Sequence, residues 1–138
     1  MATTTTVSND VKRIFDSYEA GVYGTTLTAA DSGKTFKLSG TGGTITLPEP
    51  KEGLRLKFVT SGAMSSANTI LATPTAGNDK IEGSVIVAGA VVDADAGDNI
   101  NFVHGSSNVG DFVELFSDGT SYFIFGNALS SGAITISG

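Results

Sequence analysis

From residue 27 onward, short runs of β-prone residues are separated by turns rich in Gly, Asn, Asp and Pro. The runs are Lys34–Leu38, Thr44–Leu47, Arg55–Thr60, Thr69–Ala72, Ser84–Val92, Asn99–Val103, Phe112–Phe116, Tyr122–Phe125 and Ala133–Ser137. Many short strands at this spacing are typical of a β-sandwich or barrel and not of a βαβ sheet. The sequence therefore predicts an all-β fold over residues 27–138, an antiparallel sandwich or barrel of jelly-roll type.

The strongest local signal is Asp118-Gly119, which predicts a hairpin between the two runs that flank it. With a two-residue loop, the facing pairs are Leu115 with Tyr122 and Val113 with Ile124 on one side, and Phe112 with Phe125 and Glu114 with Phe123 on the other. A three-residue loop with a Gly bulge would slip this register by one. In either register both faces are largely apolar, so one face fits the core and the other needs a further cover.

The other runs differ in how strictly they alternate. Arg55–Val59 alternates polar and apolar residues, so one side of that strand should meet water. Val85–Val92 does not alternate, which predicts burial on both faces or at a contact between subunits. The residues predicted to be buried are Val59, Ile70, Ile86, Ile100, Val113, Leu115 and Ile124.

The first 26 residues differ from the rest and are predicted to form an N-terminal arm. Met1–Asn9 is a Thr-rich polar tail, and Asp10–Gly21 shows helical spacing. The apolar face of this predicted helix consists of Val11, Ile14, Phe15 and Tyr18. About three turns of helix are marginal in isolation, so the segment needs a surface to pack on. That surface is either its own domain or a partner, in which case Lys12 and Arg13 are available to acidic partner residues.

Composition and charge exclude several classes of function. Residues 81–138 contain no Lys or Arg and seven acidic residues, within a chain of net charge −6. Nucleic-acid binding needs a basic stripe and is therefore not expected. The longest apolar run is too short to span a bilayer, and the residues after Met1 lack the pattern of a secretory signal. The chain has no cysteine, which excludes disulfides and thiolate metal sites.

Three short patterns resemble parts of known chemical sites, and each one lacks residues that such a site requires. Gly33-Lys34-Thr35 ends like a phosphate-binding loop, but Thr28 stands where the first glycine belongs. His104 is the single histidine, and no Gly-x-Ser-x-Gly elbow accompanies it. Asp93–Asp98 offers three carboxylates but departs from the calcium-loop pattern at several positions, so a solvated turn is expected. The sequence therefore predicts no catalytic residues, no cofactor, no metal and no small-molecule substrate.

Several segments, taken in order, resemble small β-rich virion proteins of tailed bacteriophages, notably head-decoration (cement) proteins. These segments are Leu27–Phe36, Thr44–Pro48, Gly53–Phe58, Asp79–Gly83, Val109–Leu115 and Ser117–Thr120. The resemblance implies a non-enzymatic structural protein, typically a homotrimer, on the outer surface of the capsid. It further implies the major capsid protein as partner and synthesis in the host cytoplasm.

Two groups of contact residues follow from the pattern and the resemblance together. Contacts between copies are expected at Phe112, Phe123 and Phe125. Contacts with the shell are expected at Val11, Lys12, Arg13, Ile14, Phe15 and Tyr18. Two alternatives stay open: a β-module of a phage tail fibre or baseplate, and a carbohydrate-binding β-sandwich.

Overall fold

The computed structural model describes residues 18–78 and 80–138, which form two β-sheets around one core. Within these residues the strands are β1 (Tyr18–Ala20), β2 (Thr35–Gly40), β3 (Gly43–Thr46), β4 (Arg55–Met64), β5 (Thr69–Ala72), β6 (Ile81–Val87), β7 (Ala90–Asp93), β8 (Asn99–Phe102), β9 (Phe112–Ser117), β10 (Tyr122–Ala128) and β11 (Ile134–Ser137). Helical structure in this part of the chain is confined to one 3₁₀ turn, Ala29–Asp31. The predicted all-β, sandwich-like fold is confirmed.

The large sheet has the strand order β1-β2-β4-β9-β10-β6-β7, and the small sheet has the order β11-β8-β5-β3. Both sheets are mixed, whereas the sequence predicts antiparallel ones. Parallel pairs join β1 to β2, β2 to β4, β3 to β5 and β6 to β10. The difference arises because successive strands of the first half lie in different sheets instead of forming hairpins.

In the first half of the described chain, successive strands wind back and forth between the two sheets, and neighbouring strands within each sheet run parallel. We call this segment the parallel coil. The chain alternates between the large sheet (β1, β2, β4) and the small sheet (β3, β5). Thr26 makes an isolated parallel bridge to Thr46 and so begins the small-sheet side of the coil. The hairpin β9–β10 then pairs antiparallel with β4 and ends the coil on the large-sheet side.

The sheet begins earlier than the sequence predicts. The helix predicted over residues 10–21 is wrong for Tyr18–Ala20, which pairs with β2 as an edge strand. The Lys34 ammonium group contacts Glu19 of β1 at 3.0 Å and Asp31 at 2.8 Å. Hydrogen bonds to Asp31 and then to Glu19 raise the pKa of Lys34. Backbone pairing with β2 places β1 in the sheet and the Lys34–Glu19 contact adds to it, so the β-domain includes residues before the predicted boundary at Leu27.

The hairpin β9–β10 forms with a longer loop than either predicted alternative. Ser117 pairs with Tyr122, which leaves four residues in the loop. The Asp118 carboxylate accepts hydrogen bonds from the backbone N–H groups of Thr120 (2.9 Å) and Ser121 (3.0 Å) and fixes this loop. The register is therefore shifted by two residues from that of a two-residue loop. Because side chains alternate with period two, the predicted inner and outer faces are unchanged.

The apolar run Val85–Val92 is two strands and not one. The turn between β6 and β7 lies at Ala88 and Gly89, both of which have positive φ (50° and 79°). This pair of conformations is typical of a tight hairpin turn. Val85 and Val87 point into the core, while Ile86 and Val91 are exposed on the outer side. The prediction that this run is buried on both faces is wrong within the single chain.

The core lies between the inner faces of the two sheets. Its largest fully buried side chains include Phe58, Phe102 and Tyr122. Phe36 stacks on Phe58 with ring centroids 5.4 Å apart. Of the residues predicted to be buried, Ile100, Val113, Leu115 and Ile124 are buried, Val59 and Ile70 are half-buried, and Ile86 is exposed. The three misassigned residues lie on outer faces because their positions in the strands have the opposite parity to the core residues.

Candidate assembly surface

The solvent-facing side of the large sheet carries four phenylalanines, which we call the aromatic face: Phe112, Phe116, Phe123 and Phe125. They alternate with the core residues of β9 and β10 and therefore point away from the small sheet. Phe116 is 45% exposed and Phe125 is 56% exposed, while the other two are half-buried. No layer within the described part of the chain covers them.

The four rings form two contacting pairs. Phe116 and Phe123 are cross-strand partners and stack with centroids 5.6 Å apart. Phe112 and Phe125 meet edge to face at 6.0 Å. Such pairs contribute about 0.5–1.5 kcal/mol beyond the area that they bury, so the rings are held in a defined arrangement before any partner binds.

Two cations from β4 border the aromatic face. The Arg55 guanidinium group lies 5.7 Å from the Phe116 ring centroid, and the Lys57 ammonium group lies 4.8 Å from that of Phe112. Lys57 also forms an ion pair with Glu114 at 3.2 Å. Contacts of this kind at exposed sites are weak, about 0.5–1 kcal/mol each. Their main effect is to place charges of known position beside an apolar surface.

A second apolar patch lies at one end of the large sheet and continues from the aromatic face. Its most exposed residues are Val91 (68%), Val109 (72%) and Leu129 (75%), with Ile86 beside them. An open depression of about 660 Å³ is lined by Ile86, Val109 and Leu129 together with Phe112 of the aromatic face. The outer side of the large sheet thus exposes apolar side chains on β6, β7, β9 and β10, and adjoining exposed apolar side chains mark interaction surfaces.

The patterns considered as sites of chemistry do not converge in space. Asp98 is 3% exposed, and its carboxylate accepts hydrogen bonds from the Gly77 N–H and the Thr73 hydroxyl, whereas Asp93 and Asp95 are exposed. Residues 18–78 and 80–138 contain no group of three acidic or histidine side chains that could hold a metal ion. His104 is exposed on a loop. Of the acidic loop, Asp98 serves to hold the neighbouring turn.

The structure places the predicted contact residues as follows. Phe112, Phe123 and Phe125, predicted to mediate contacts between copies, lie together on the aromatic face. Phe116 was not predicted, although it shares the parity of Phe112 and Glu114 along β9. The shell contacts predicted at Val11, Lys12, Arg13, Ile14 and Phe15 lie outside the described residues. Tyr18 lies in β1, and its side chain is also outside the description.

Comparison of the chain with protein-family models, curated proteins and solved structures finds no match. In the described part of the chain, no helix is long and apolar enough to cross a membrane. The physical properties of the outer face therefore carry the functional argument, together with the resemblance of the sequence segments.

Proposed function

We propose that this protein is a non-enzymatic structural protein that assembles through the outer side of its large sheet. The observation that carries the proposal is the aromatic face, four phenylalanines that the described chain leaves uncovered. Aromatic residues dominate the energetics of protein interfaces because each one removes a large apolar area from water at little entropic cost. A surface of this kind, already ordered by ring contacts, favours assembly with a protein partner.

The more specific form of the proposal is a head-decoration protein of a tailed bacteriophage. It would assemble as a homotrimer, bind the major capsid protein on the outer surface of the shell, and be made in the host cytoplasm. The resemblance of the sequence segments supports this form. Several of these segments fall on β2, β4 and β9, which are neighbours in the large sheet.

Assembly is tested by replacing the two most exposed rings, Phe116 and Phe125, with Ser. The double variant should sediment as a monomer at concentrations where the unmodified protein is a trimer. The matched control is Val22→Ser, which removes another exposed apolar side chain (60% exposed) outside the aromatic face. Circular dichroism checks that the strands are retained. A monomer mass for the unmodified protein at high micromolar concentration would refute the homotrimer.

Shell binding is tested with a variant that lacks residues 1–17. The cut is placed before Tyr18 because a cut near Gly24 would remove β1 from the sheet. The shortened protein should keep its β-fold and trimer mass but bind purified empty shells more weakly than the full chain. Undiminished binding by the shortened protein would exclude the predicted shell contacts at Val11–Phe15.

A carbohydrate-binding module is the second candidate, and one observation favours it. An open depression of about 450 Å³ on the same face is lined by Arg55, Glu114, Phe116 and Phe125. Ring faces beside charged hydrogen-bonding groups suit a sugar ring. Saturable binding of a glycan by the unmodified protein, at concentrations low enough to keep it monomeric, would favour this candidate over assembly.

A further inference from the structure

One row of side chains crosses the outer side of the large sheet with a charge at each end. Arg55 of β4 pairs with Phe116 of β9, Phe116 pairs with Phe123 of β10, and Phe123 pairs with Glu82 of β6. The order across four adjacent strands is therefore cation, ring, ring, anion. We call this set the charged row.

The two charged ends of the row lack ion-pair partners within residues 18–78 and 80–138. Arg55 is exposed and lies beside the Phe116 ring, and Glu82 is half-buried. The neighbouring row differs, because Lys57 and Glu114 satisfy each other at 3.2 Å. The ends of the charged row are three strand spacings apart, roughly 14 Å, so they cannot pair with each other in one chain.

A face with this order of charges is complementary to another copy of itself. We propose that the outer side of the large sheet binds a second copy of this chain, with Arg55 of one copy paired with Glu82 of the next. This inference rests on the proposed function and specifies its contact. In the homotrimer of the proposed function this contact is head-to-tail, with the cationic end of each copy facing the anionic end of its neighbour. Three such contacts close a ring without leaving an unpaired end.

The charges and the rings have different roles in this contact. The phenylalanines supply the apolar area that drives association, and the two charges at the rim select the orientation of the neighbouring copy. A foreign partner would need both signs of charge at matching positions, whereas a second copy carries them by construction. The proposed contact therefore gives an ion-pair partner to two charges that have none within residues 18–78 and 80–138.

Charge reversal tests the pairing directly. Arg55→Glu and Glu82→Arg each place like charges at every contact and should weaken association by about tenfold or more. The double variant, R55E with E82R, restores opposite charges at each contact and should return to within about threefold of the unmodified protein. Lys51→Glu, at an exposed loop position, changes the net charge by the same amount as Arg55→Glu and is the matched control for that variant. Sedimentation equilibrium over a range of concentrations gives all of these association constants. A double variant as weak as the single variants would overturn the proposal.

Mixing the two single variants distinguishes a ring from a twofold pair. In a ring of three, any mixture of R55E and E82R chains keeps one like-charged contact, so association stays weaker than that of the unmodified protein. In a twofold pair, one chain of each kind would satisfy both contacts. A stable complex of one R55E chain with one E82R chain would therefore overturn the head-to-tail arrangement.

Two outcomes distinguish a wrong Arg55–Glu82 pairing from a wrong proposed function. If the Phe116/Phe125 variant dissociates while all charge variants keep the unmodified mass, the Arg55–Glu82 pairing is wrong and assembly through the aromatic face stands. If the Phe116/Phe125 variant keeps the trimer mass, assembly through this face is wrong and the pairing falls with it.

Discussion

The buried carboxylate of Asp111 should be one of the most costly side chains to remove. It is 3% exposed and accepts hydrogen bonds from the backbone N–H groups of Asn108 at 2.8 Å and Leu129 at 2.9 Å. These bonds close the turn that leads into β9 and join it to the segment after β10. Asp111→Ala removes both acceptors and leaves two partly buried backbone donors without a partner.

The size of the effect follows from these two bonds. A hydrogen bond to a charged group contributes about 1.5–3 kcal/mol, so two bonds set an upper bound of about 3–6 kcal/mol. Two effects reduce the net loss: the buried carboxylate no longer has to be desolvated, and water can reach part of the turn. We therefore expect a loss of about 2–4 kcal/mol in the free energy of unfolding. For a domain of this size, this corresponds to a fall in Tm of roughly 8–16 °C.

Asp118 provides a matched control. Its carboxylate also accepts two backbone N–H groups, from Thr120 and Ser121, but it is fully exposed. Asp118→Ala should therefore cost much less than Asp111→Ala, because water replaces the lost acceptor. Urea unfolding followed by far-UV circular dichroism measures both variants at neutral pH. Equal losses for the two variants, or a loss below about 0.5 kcal/mol for Asp111→Ala, would refute the reasoning from burial.

Four further outcomes can be checked on the isolated protein. Gly126→Ala should lower the free energy of unfolding by roughly 1–3 kcal/mol, because a Cβ there collides with a backbone carbonyl group of β9; Gly62→Ala, which meets only a side-chain carbon at 3.2 Å, should cost less in the same urea titration. Thr60→Val should raise the free energy of unfolding by about 1 kcal/mol, since the buried Thr60 hydroxyl has no hydrogen-bond partner among the described residues; a lower urea midpoint would contradict this. Burial and then the charge of Glu49 raise the pKa of Tyr122 above its ordinary value of 10.0, so the folded state keeps a proton that the unfolded state loses. The contribution of the Tyr122 hydroxyl to the free energy of unfolding is fully present below about pH 10 and decreases as the pH rises further. Tyr122→Phe should therefore reduce the fall of the urea midpoint at alkaline pH. A chelator should leave Tm unchanged, and a shift of several degrees would point to an ion at residues 93–98.

The strands could be predicted from the sequence because alternation is a local property. Leu56 and Phe58 face the core and Arg55 and Lys57 face outward, as the pattern of that run predicts. The pairing of strands was not predictable in the same way. The parallel neighbours β2 and β4 are connected in the chain by β3, which lies in the other sheet. The alternation of apolar and polar residues within a strand does not indicate which sheet the next strand joins.

The aromatic face was predicted in part, although the predicted register of its hairpin was wrong. The hairpin loop is longer than predicted because the Asp118 side chain takes over backbone hydrogen bonds that a two-residue turn would make between strands. The resulting shift is even, so Phe112, Phe123 and Phe125 stay on the predicted side. Phe116 was missed because the predicted two-residue loop places the polar Ser121 opposite it, whereas the structure pairs it with Phe123. The exposed side of residues 85–92 was missed because the apolar run continues through the turn at Ala88 and Gly89, where no polar residue marks the end of a strand.

The parallel coil bears on the order in which the chain folds. Its pairings join residues close in sequence, such as Tyr18 with Thr35 and Thr35 with Lys57. The antiparallel pairing of β4 with β9 instead joins Lys57 to Glu114, which is more distant in sequence. Closing a longer loop costs more entropy and slows folding. The coil can therefore form one turn at a time, starting from either end, and the hairpin then docks on β4 in a later step. Pulsed hydrogen exchange during refolding should protect the amides of β2 and β4 along their shared edge before those of β9, and simultaneous protection of all three strands would argue against this order.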